Sequence, residues 1–220
     1  MMLGARTGAW AKSGVSLPYK RELSFVYTPN GTLGDNCWWF YTGFTYSDIF
    51  GFEINLIRLV DTSSDIVALG SRNNAVSLNS RFFVGCNNSV YYWGWNTLKT
   101  VSGITVGKPY KQGLNFLNSR MMTLDDVVVE SGLATHADMD NASVYFPIYS
   151  RKESSPTAPS DAQQRFYALG ECKMSIGDEV VADYIPVELN DGTITFYDKV
   201  ARAVKNKSEY ARLDLQEYIV

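Results

Sequence analysis

Cysteine and histidine are scarce in this chain of 220 residues. The three cysteines, Cys37, Cys86 and Cys172, are too few and too scattered for a disulfide framework, and their odd number leaves at least one thiol free. We expect all three to be reduced and mostly buried, where a thiol behaves as a small apolar group. The single histidine, His136, excludes a site with several histidine ligands and argues against a histidine general base.

Long apolar runs and an excess of positive charge are also missing. No stretch approaches the about 20 apolar residues of a membrane span, and residues 1–10 lack the apolar segment of a secretory signal. The formal net charge is −3, and no glycine-rich phosphate loop follows a strand, so neither nucleic-acid nor nucleotide binding is indicated. We therefore predict a protein made in a host cytoplasm, with no signal peptide and no membrane span.

Alternation of apolar and polar residues, typical of β-strands, dominates from residue 22 onward. Glycine, asparagine and proline separate these segments at short spacing, which favours a two-sheet sandwich. Predicted strands lie at 23–27, 38–44, 52–60, 66–70, 81–85, 89–95, 100–106, 113–119, 120–123, 127–130 and 144–149. Only 124–133, 161–164 and 201–204 are compatible with a helical turn.

The C-terminal part carries the clearest pattern. A strand at 165–174 has its even-numbered residues on a mostly apolar face, and a hairpin follows it. The first hairpin strand, 182–187, is expected to stop at Pro186, because proline cannot donate to a sheet ladder. Asn190-Asp191-Gly192 predicts the turn, and an Asx turn at Asp198 is expected to end the second strand.

This closing segment resembles that of the concanavalin A-like (lectin/glucanase, LamG-like) modules of gut bacteria and their phages. Weaker matches lie at 52–59, 69–72, 144–149 and 39–44, where Tyr41 stands before Thr-Gly in place of the family's frequent Asp. The resemblance spans residues 22–208. It implies an all-β fold, a concanavalin A-like jelly-roll β-sandwich of two antiparallel sheets over residues 21–220.

The same resemblance implies a lectin-like module without enzymatic activity. Related glycoside hydrolases carry Glu-x-Asp-x-x-Glu on one strand; that motif is absent, and Asp178-Glu179 with Asp183 has the wrong spacing. The run 138–141 offers oxygens to Ca²⁺ but lacks a calcium-loop pattern. We therefore predict no catalytic residues, no metal and no cofactor.

Aromatic residues give the candidate ligand site. At a period of two, Tyr91, Trp93 and Trp95 share one strand face, with Asn96 at its end. Three flat rings and an amide can form a stacking platform for a glycan, or the rings can belong to the sandwich core. Both interpretations stay open at this point. Since Trp38 and Trp39 must point to opposite faces, no more than one of them is expected in the core.

Residues 1–20 show no core-forming period and predict an extended arm. Leu3 and Trp10 are its apolar anchors for a partner, since such residues in an arm typically insert into a groove. We expect a homo-oligomeric phage virion protein, as a head-fibre, tail or decoration component, that mediates adhesion to surface glycans. The alternatives are a structural virion protein that packs on itself, the capsid or the tail, or a bacterial surface carbohydrate-binding module.

Overall fold

The structure, a computed structural model, describes residues 16–29, 38, 40–45, 51–60, 66–72, 82–87, 90–94, 99–102, 104–115, 121–130, 143–146, 149–151, 167–209 and 213–220. Every regular element in these ranges is a β-strand, as the sequence predicts, and none is a helix able to cross a bilayer. The strands are β1 (Arg21–Glu22), β2 (Val26–Tyr27), β3 (Phe40–Thr45), β4 (Gly51–Arg58), β5 (Ile66–Arg72), β6 (Phe82–Asn87), β7 (Val90–Gly94), β8 (Lys99–Ser102), β9 (Pro109–Asn115), β10 (Met121–Leu124), β11 (Val127–Glu130), β12 (Ser143–Phe146), β13 (Tyr149–Arg151), β14 (Tyr167–Ile176), β15 (Glu179–Glu188), β16 (Ile194–Asp198), β17 (Ala203–Lys205) and β18 (Gln216–Glu217).

The strands form two sheets. The larger has 11 strands in the order β11-β10-β9-β4-β14-β15-β16-β17, with β1 beside β15, β2 beside β14 and β18 beside β2. Its neighbouring strands are antiparallel. The second sheet has seven strands in the order β3-β12-β13-β5-β6-β7-β8, where β13 and β5 are parallel. For β5 to β8 and β13, only the backbone is described.

Aromatic rings join the two sheets. Phe146 of β12 is fully buried, and its ring centroid lies 4.7 Å from that of Phe196 and 5.3 Å from that of Tyr184, on β16 and β15 of the larger sheet. Phe40 of β3 meets Tyr184 at 5.2 Å, and Trp38 meets Phe196 at 5.4 Å. These contacts define the inner face of the larger sheet. Edge-to-face ring pairs of this kind add to the stabilisation from apolar burial.

The C-terminal hairpin forms as predicted around Asp191, but its first strand does not stop at Pro186. β15 continues to Glu188, with Pro186 opposite Phe196 of β16. The carbonyl of Pro186 faces away from β16 and accepts from the amide of Leu23 at 2.9 Å. Since the amide and carbonyl of one strand residue point to the same side, the missing N–H of Pro186 costs the β15–β16 ladder nothing.

Asp198 ends β16 through the predicted Asx turn. Its Oδ1 accepts from the amides of Val200 at 3.0 Å and Ala201 at 3.2 Å, and from the amide of Asp183 at 3.3 Å. Its Oδ2 lies 3.1 Å from Nζ of Lys205, which sits over the Tyr184 ring at 5.2 Å. The carboxylate is buried yet fully compensated, which is the condition for a stable buried charge.

The alternation predicted for 165–174 is correct only in its second half. Cys172 and Met174 lie in the inner core, but so do Tyr167 and Leu169, while Ala168 belongs to an apolar cluster with Phe25 and Ile57. The register against β4 shifts between Leu169 and Cys172, so the strand contains one extra residue there. A β-bulge changes which alternate residues face the core, and a simple period of two does not anticipate it.

Elsewhere the sequence predicts most strands to within a few residues, and β11 is predicted at its observed bounds. The helical turn considered for 124–133 is wrong at 124–130, which forms the β10–β11 hairpin. Its turn residues Asp125 and Asp126 have φ of 50° and 67°, as a two-residue hairpin with two left-handed positions requires. The single strand predicted at 144–149 is two strands, β12 and β13.

Residues 19–28 fill the space where β14 and β15 separate. β1 pairs with the end of β15, and β2 pairs with β14 at Leu169 opposite Val26. Gly170 makes this approach feasible: a Cβ there would lie 3.0 Å from the Ser24 carbonyl oxygen, 3.0 Å from the Phe25 ring and 2.9 Å from Asn55 Cβ. The N-terminal segment thus completes the larger sheet at the bulge.

We predict that Gly170→Ala destabilises the protein, because a backbone carbonyl and a buried ring must move to admit the methyl group. The expected loss is about 1–3 kcal/mol in the free energy of unfolding, as for other overpacked sites. Gly107→Ala is the control: its φ is +78° and no atom lies within 4 Å of an added Cβ, so only backbone strain of about 1 kcal/mol is expected. Equal losses in chemical denaturation would contradict the close approach at Gly170.

Candidate functional site

The predicted aromatic platform lies partly within the described residues. Tyr91 and Trp93 belong to β7, which pairs with β6 and β8, with Asn87 of β6 opposite Val90 of β7. Trp95 and Asn96 lie outside the described residues, as do the side chains of β7. The choice between ligand platform and core therefore stays a prediction.

The partner-binding residues predicted in the arm, Leu3 and Trp10, also lie outside the described residues. The last residues of the expected arm are packed on the larger sheet. Tyr19 is buried with its ring centroid 5.1 Å from that of Tyr197, and the amide of Lys20 donates to the carbonyl of Glu188 at 2.8 Å. Trp38 is the tryptophan of its pair that the structure describes, and it belongs to the core with 2% of its surface exposed.

A cluster of charged side chains, of which the sequence analysis considered only Asp183, lies on the outer face of the larger sheet, opposite the aromatic contacts. Its centre is Lys199, whose Nζ lies 3.0 Å from Oε1 of Glu171 and 3.6 Å from Oδ2 of Asp183. Lys173 Nζ lies 3.7 Å from the same Glu171 oxygen. These four residues form the Lys199 cluster.

Strand register assembles this cluster. Lys173 of β14 lies opposite Asp183 of β15, and Glu53 of β4 lies opposite Lys173 on the other side. The amide of Lys199 donates to the carbonyl of Asp183 at 2.8 Å, which holds the lysine beside that carboxylate. Positive and negative side chains thus alternate across neighbouring strands, the arrangement that favours cross-strand ion pairs.

Burial and charge move the pKa values of the two carboxyl groups in opposite directions. Burial opposes ionisation of Glu171, but the hydrogen bond and charge of Lys199 outweigh it, so the pKa of Glu171 is lowered. Burial raises the pKa of Asp183; Lys199 acts against this, and the negative charge of Glu171 adds to it. The Oδ1 atom of Asp183 is buried and receives no hydrogen bond from the residues that the structure describes, so burial is not offset there and the ionised form is disfavoured.

Two carboxyl groups with oppositely shifted pKa values can in principle serve as acid and base. Here Lys199 lies between them and Lys173 adds a second positive charge beside Glu171, so the geometry is that of a surface ion-pair network. In the part of the chain that the structure describes, no three histidine, cysteine or acidic side chains are grouped to hold a metal ion.

The described cysteine fits the expectation from the sequence. Cys172 is a free thiol and fully buried in the inner core. Burial raises its pKa, with smaller contributions from Asp183 and Glu171, so the neutral thiol is favoured. A thiol in this state is a packing residue and not a nucleophile.

A sequence signal for the Lys199 cluster exists. Asp183 and Lys199 are equally distant along the chain from Asp191, so a hairpin centred there places them side by side. Glu171 and Lys173 alternate with Cys172 and share the opposite face from it. What the sequence does not supply is the β14–β15 register, which depends on a second irregularity between Met174 and Ser175.

Comparisons of the chain with protein-family models, with curated proteins and with solved structures gave no match. The concanavalin A-like resemblance therefore depends on the quoted sequence segments alone.

We predict opposite effects of two near-isosteric substitutions in the Lys199 cluster. Asp183 has a raised pKa, so its favourable contribution is present below its unfolded-state pKa and is lost as the pH rises through its folded-state pKa. Asp183→Asn should therefore raise the free energy of unfolding at pH 7. Glu171 has a lowered pKa, so its contribution is present above its unfolded-state pKa and is lost as the pH falls through its folded-state pKa.

Glu171→Gln should accordingly lower stability at pH 7 and have little effect at low pH. Because the cluster is partly exposed, changes of about 0.2–1 kcal/mol are expected, and the sign is the informative result. Urea denaturation of both variants and the parent protein across pH 3–8 measures the sign of each change in the free energy of unfolding. The same sign for both variants at pH 7 would refute this account of the cluster.

Proposed function

We propose that the chain is a non-enzymatic, lectin-like adhesion module of a phage virion, built as a concanavalin A-like jelly-roll β-sandwich. The observation that carries the fold half of this proposal is the set of aromatic contacts that Phe40 and Phe146 of the second sheet make with Tyr184 and Phe196 of the larger sheet. Sandwiches require inner faces that interlock in this way.

Glycan adhesion is supported by the position of β7. The strand carries Tyr91, Tyr92 and Trp93 between β6 and β8, so its aromatic side chains are held on a paired strand. A paired strand fixes the spacing of alternate residues, and regular spacing is what ring stacking along an oligosaccharide needs. Tyr91, Trp93, Trp95 and Asn96 are the proposed ligand residues.

A structural virion role is the second candidate. In it the module mainly packs against further copies, the capsid or the tail, with Leu3 and Trp10 as anchors. The observation that favours it is an exposed apolar strand at the end of the larger sheet: Val127 is 64% and Val128 49% exposed. The register shift at β10 leaves Val129 as a bulge, so contact there would use side chains more than backbone pairing.

We predict that Trp93→Ala and Trp95→Ala each weaken glycan binding several-fold while leaving the melting temperature nearly unchanged. Each stacked ring is worth about 1 kcal/mol beyond its area. Trp38→Ala is the matched control, since a buried core tryptophan should cost about 3–5 kcal/mol of stability. A glycan array and thermal unfolding are the measurements, and soluble β-glucans should remain uncleaved.

The lectin interpretation fails if the parent protein binds no glycan and the β7 variants lose stability as Trp38→Ala does. In that case the aromatic side chains of β7 belong to the core, and the structural virion role is the supported function. Cleavage of β-glucan that is lost in Glu171→Gln or Asp183→Asn would overturn the non-enzymatic assignment.

A further inference from the structure

Gln112 of β9 departs from the rule that buried polar groups are hydrogen-bonded. Its side chain has no exposed surface, and within the described part of the chain neither its Nε2 nor its Oε1 has a hydrogen-bond partner. An amide buried in an apolar setting without partners loses its hydrogen bonds to water and gains none in return. That loss is a large fraction of the stability of a domain.

Gln112 has apolar neighbours on both adjacent strands and one residue with a polar group on its own strand. It lies between Ile54 of β4 and Leu124 of β10 in the strand register. Tyr110 is two residues earlier on the same strand and the same inner face, about 7 Å along the chain axis, and is itself buried. Tyr110 therefore carries a hydroxyl group on the same face of the same strand as the Gln112 amide.

Rotation of the side chain to the other face is not an alternative. The neighbouring residue on that face, Gly113, has no room for a side chain: a Cβ there would collide with Thr123 Oγ1 and lie 3.5 Å from Glu53 Cγ. The strand register fixes Gln112 on the inner face, because a one-residue slip would place this row of side chains against Thr123 and Glu53. The amide must therefore find its partner inside the core.

We propose that Gln112 is the anchor of an internal water site, in which one water molecule accepts from the Gln112 amide or donates to it and bridges it to the Tyr110 hydroxyl. Globular proteins hold about one buried water per 27 residues, usually on buried polar groups that lack protein partners. The site is independent of the glycan-binding and assembly functions proposed above. It explains why a glutamine is tolerated at a core position of β9.

The direct test is a high-resolution crystal structure of the full chain together with an NMR measurement in solution. We expect a water oxygen within hydrogen-bond distance of the Gln112 amide, and cross-peaks between its side-chain NH₂ protons and a long-lived water. Gln216, an exposed glutamine on β18 whose Oε1 accepts from the Tyr27 hydroxyl at 3.4 Å, is the control, and its NH₂ protons should contact only rapidly exchanging solvent. A Gln112 amide bonded to a protein group, or one with no water beside it, overturns the proposal.

A stability comparison gives an independent readout. Gln112→Met removes the amide with little change in volume, and Gln216→Met is the matched surface variant. If the amide is hydrated, the melting temperature of Gln112→Met stays equal to or falls below that of Gln216→Met, because satisfied hydrogen bonds are lost. If the amide is truly unpaired, Gln112→Met melts clearly higher, and the proposal is wrong. Failure of Gln112→Met to fold leaves the crystal and NMR result on the parent protein as the deciding test.

Discussion

The separation of β14 from β15 at Gly170 is the constraint on which the larger sheet depends. Beyond the bulge these two strands no longer pair with each other, and residues 19–28 supply the missing backbone partners to both. The chain's last strand, β18, then pairs with β2. Arg21 connects these strands through two ion pairs: its guanidinium lies 2.6 Å from the Glu188 carboxylate and 2.6 Å from the Glu217 carboxylate. Residues 19–28 and the C-terminal strand β18 are thus both part of the sheet.

The two faces of the larger sheet have different chemistry, and this difference guides the functional proposal. Its inner face is aromatic and contacts Phe40 and Phe146 of the second sheet. Its outer face carries the Lys199 cluster beside apolar patches covered by Tyr19 and Phe25. The side chains of the Lys199 cluster are already paired with one another. We therefore propose that ligand recognition uses β7 of the second sheet.

Local signals in the sequence predict much of this fold. The features that they do not predict depend on the register between strands that are distant along the chain. Asp191 and Asp198 specify turns through their own side chains, so the last hairpin can be predicted from a few residues. The strand end predicted at Pro186 is wrong, because the effect of a proline depends on which neighbouring strand faces its missing amide. The bulge at Gly170 and the closeness of Glu171 to Asp183 depend on pairing between distant segments, which no local pattern encodes. The candidate glycan residues remain a sequence prediction.

Hydrogen exchange at the amide of Leu23 tests most directly whether the N-terminal segment is an integral part of the sheet. This amide donates to the carbonyl of Pro186 at 2.9 Å, and that of Tyr218 donates to Phe25 at 2.9 Å. If the segment completes the sheet, both amides should exchange as slowly as those of the central β4–β14 ladder, through global unfolding. Exchange of Leu23 at the rate of an exposed loop, with the β4–β14 amides still protected, would contradict the account.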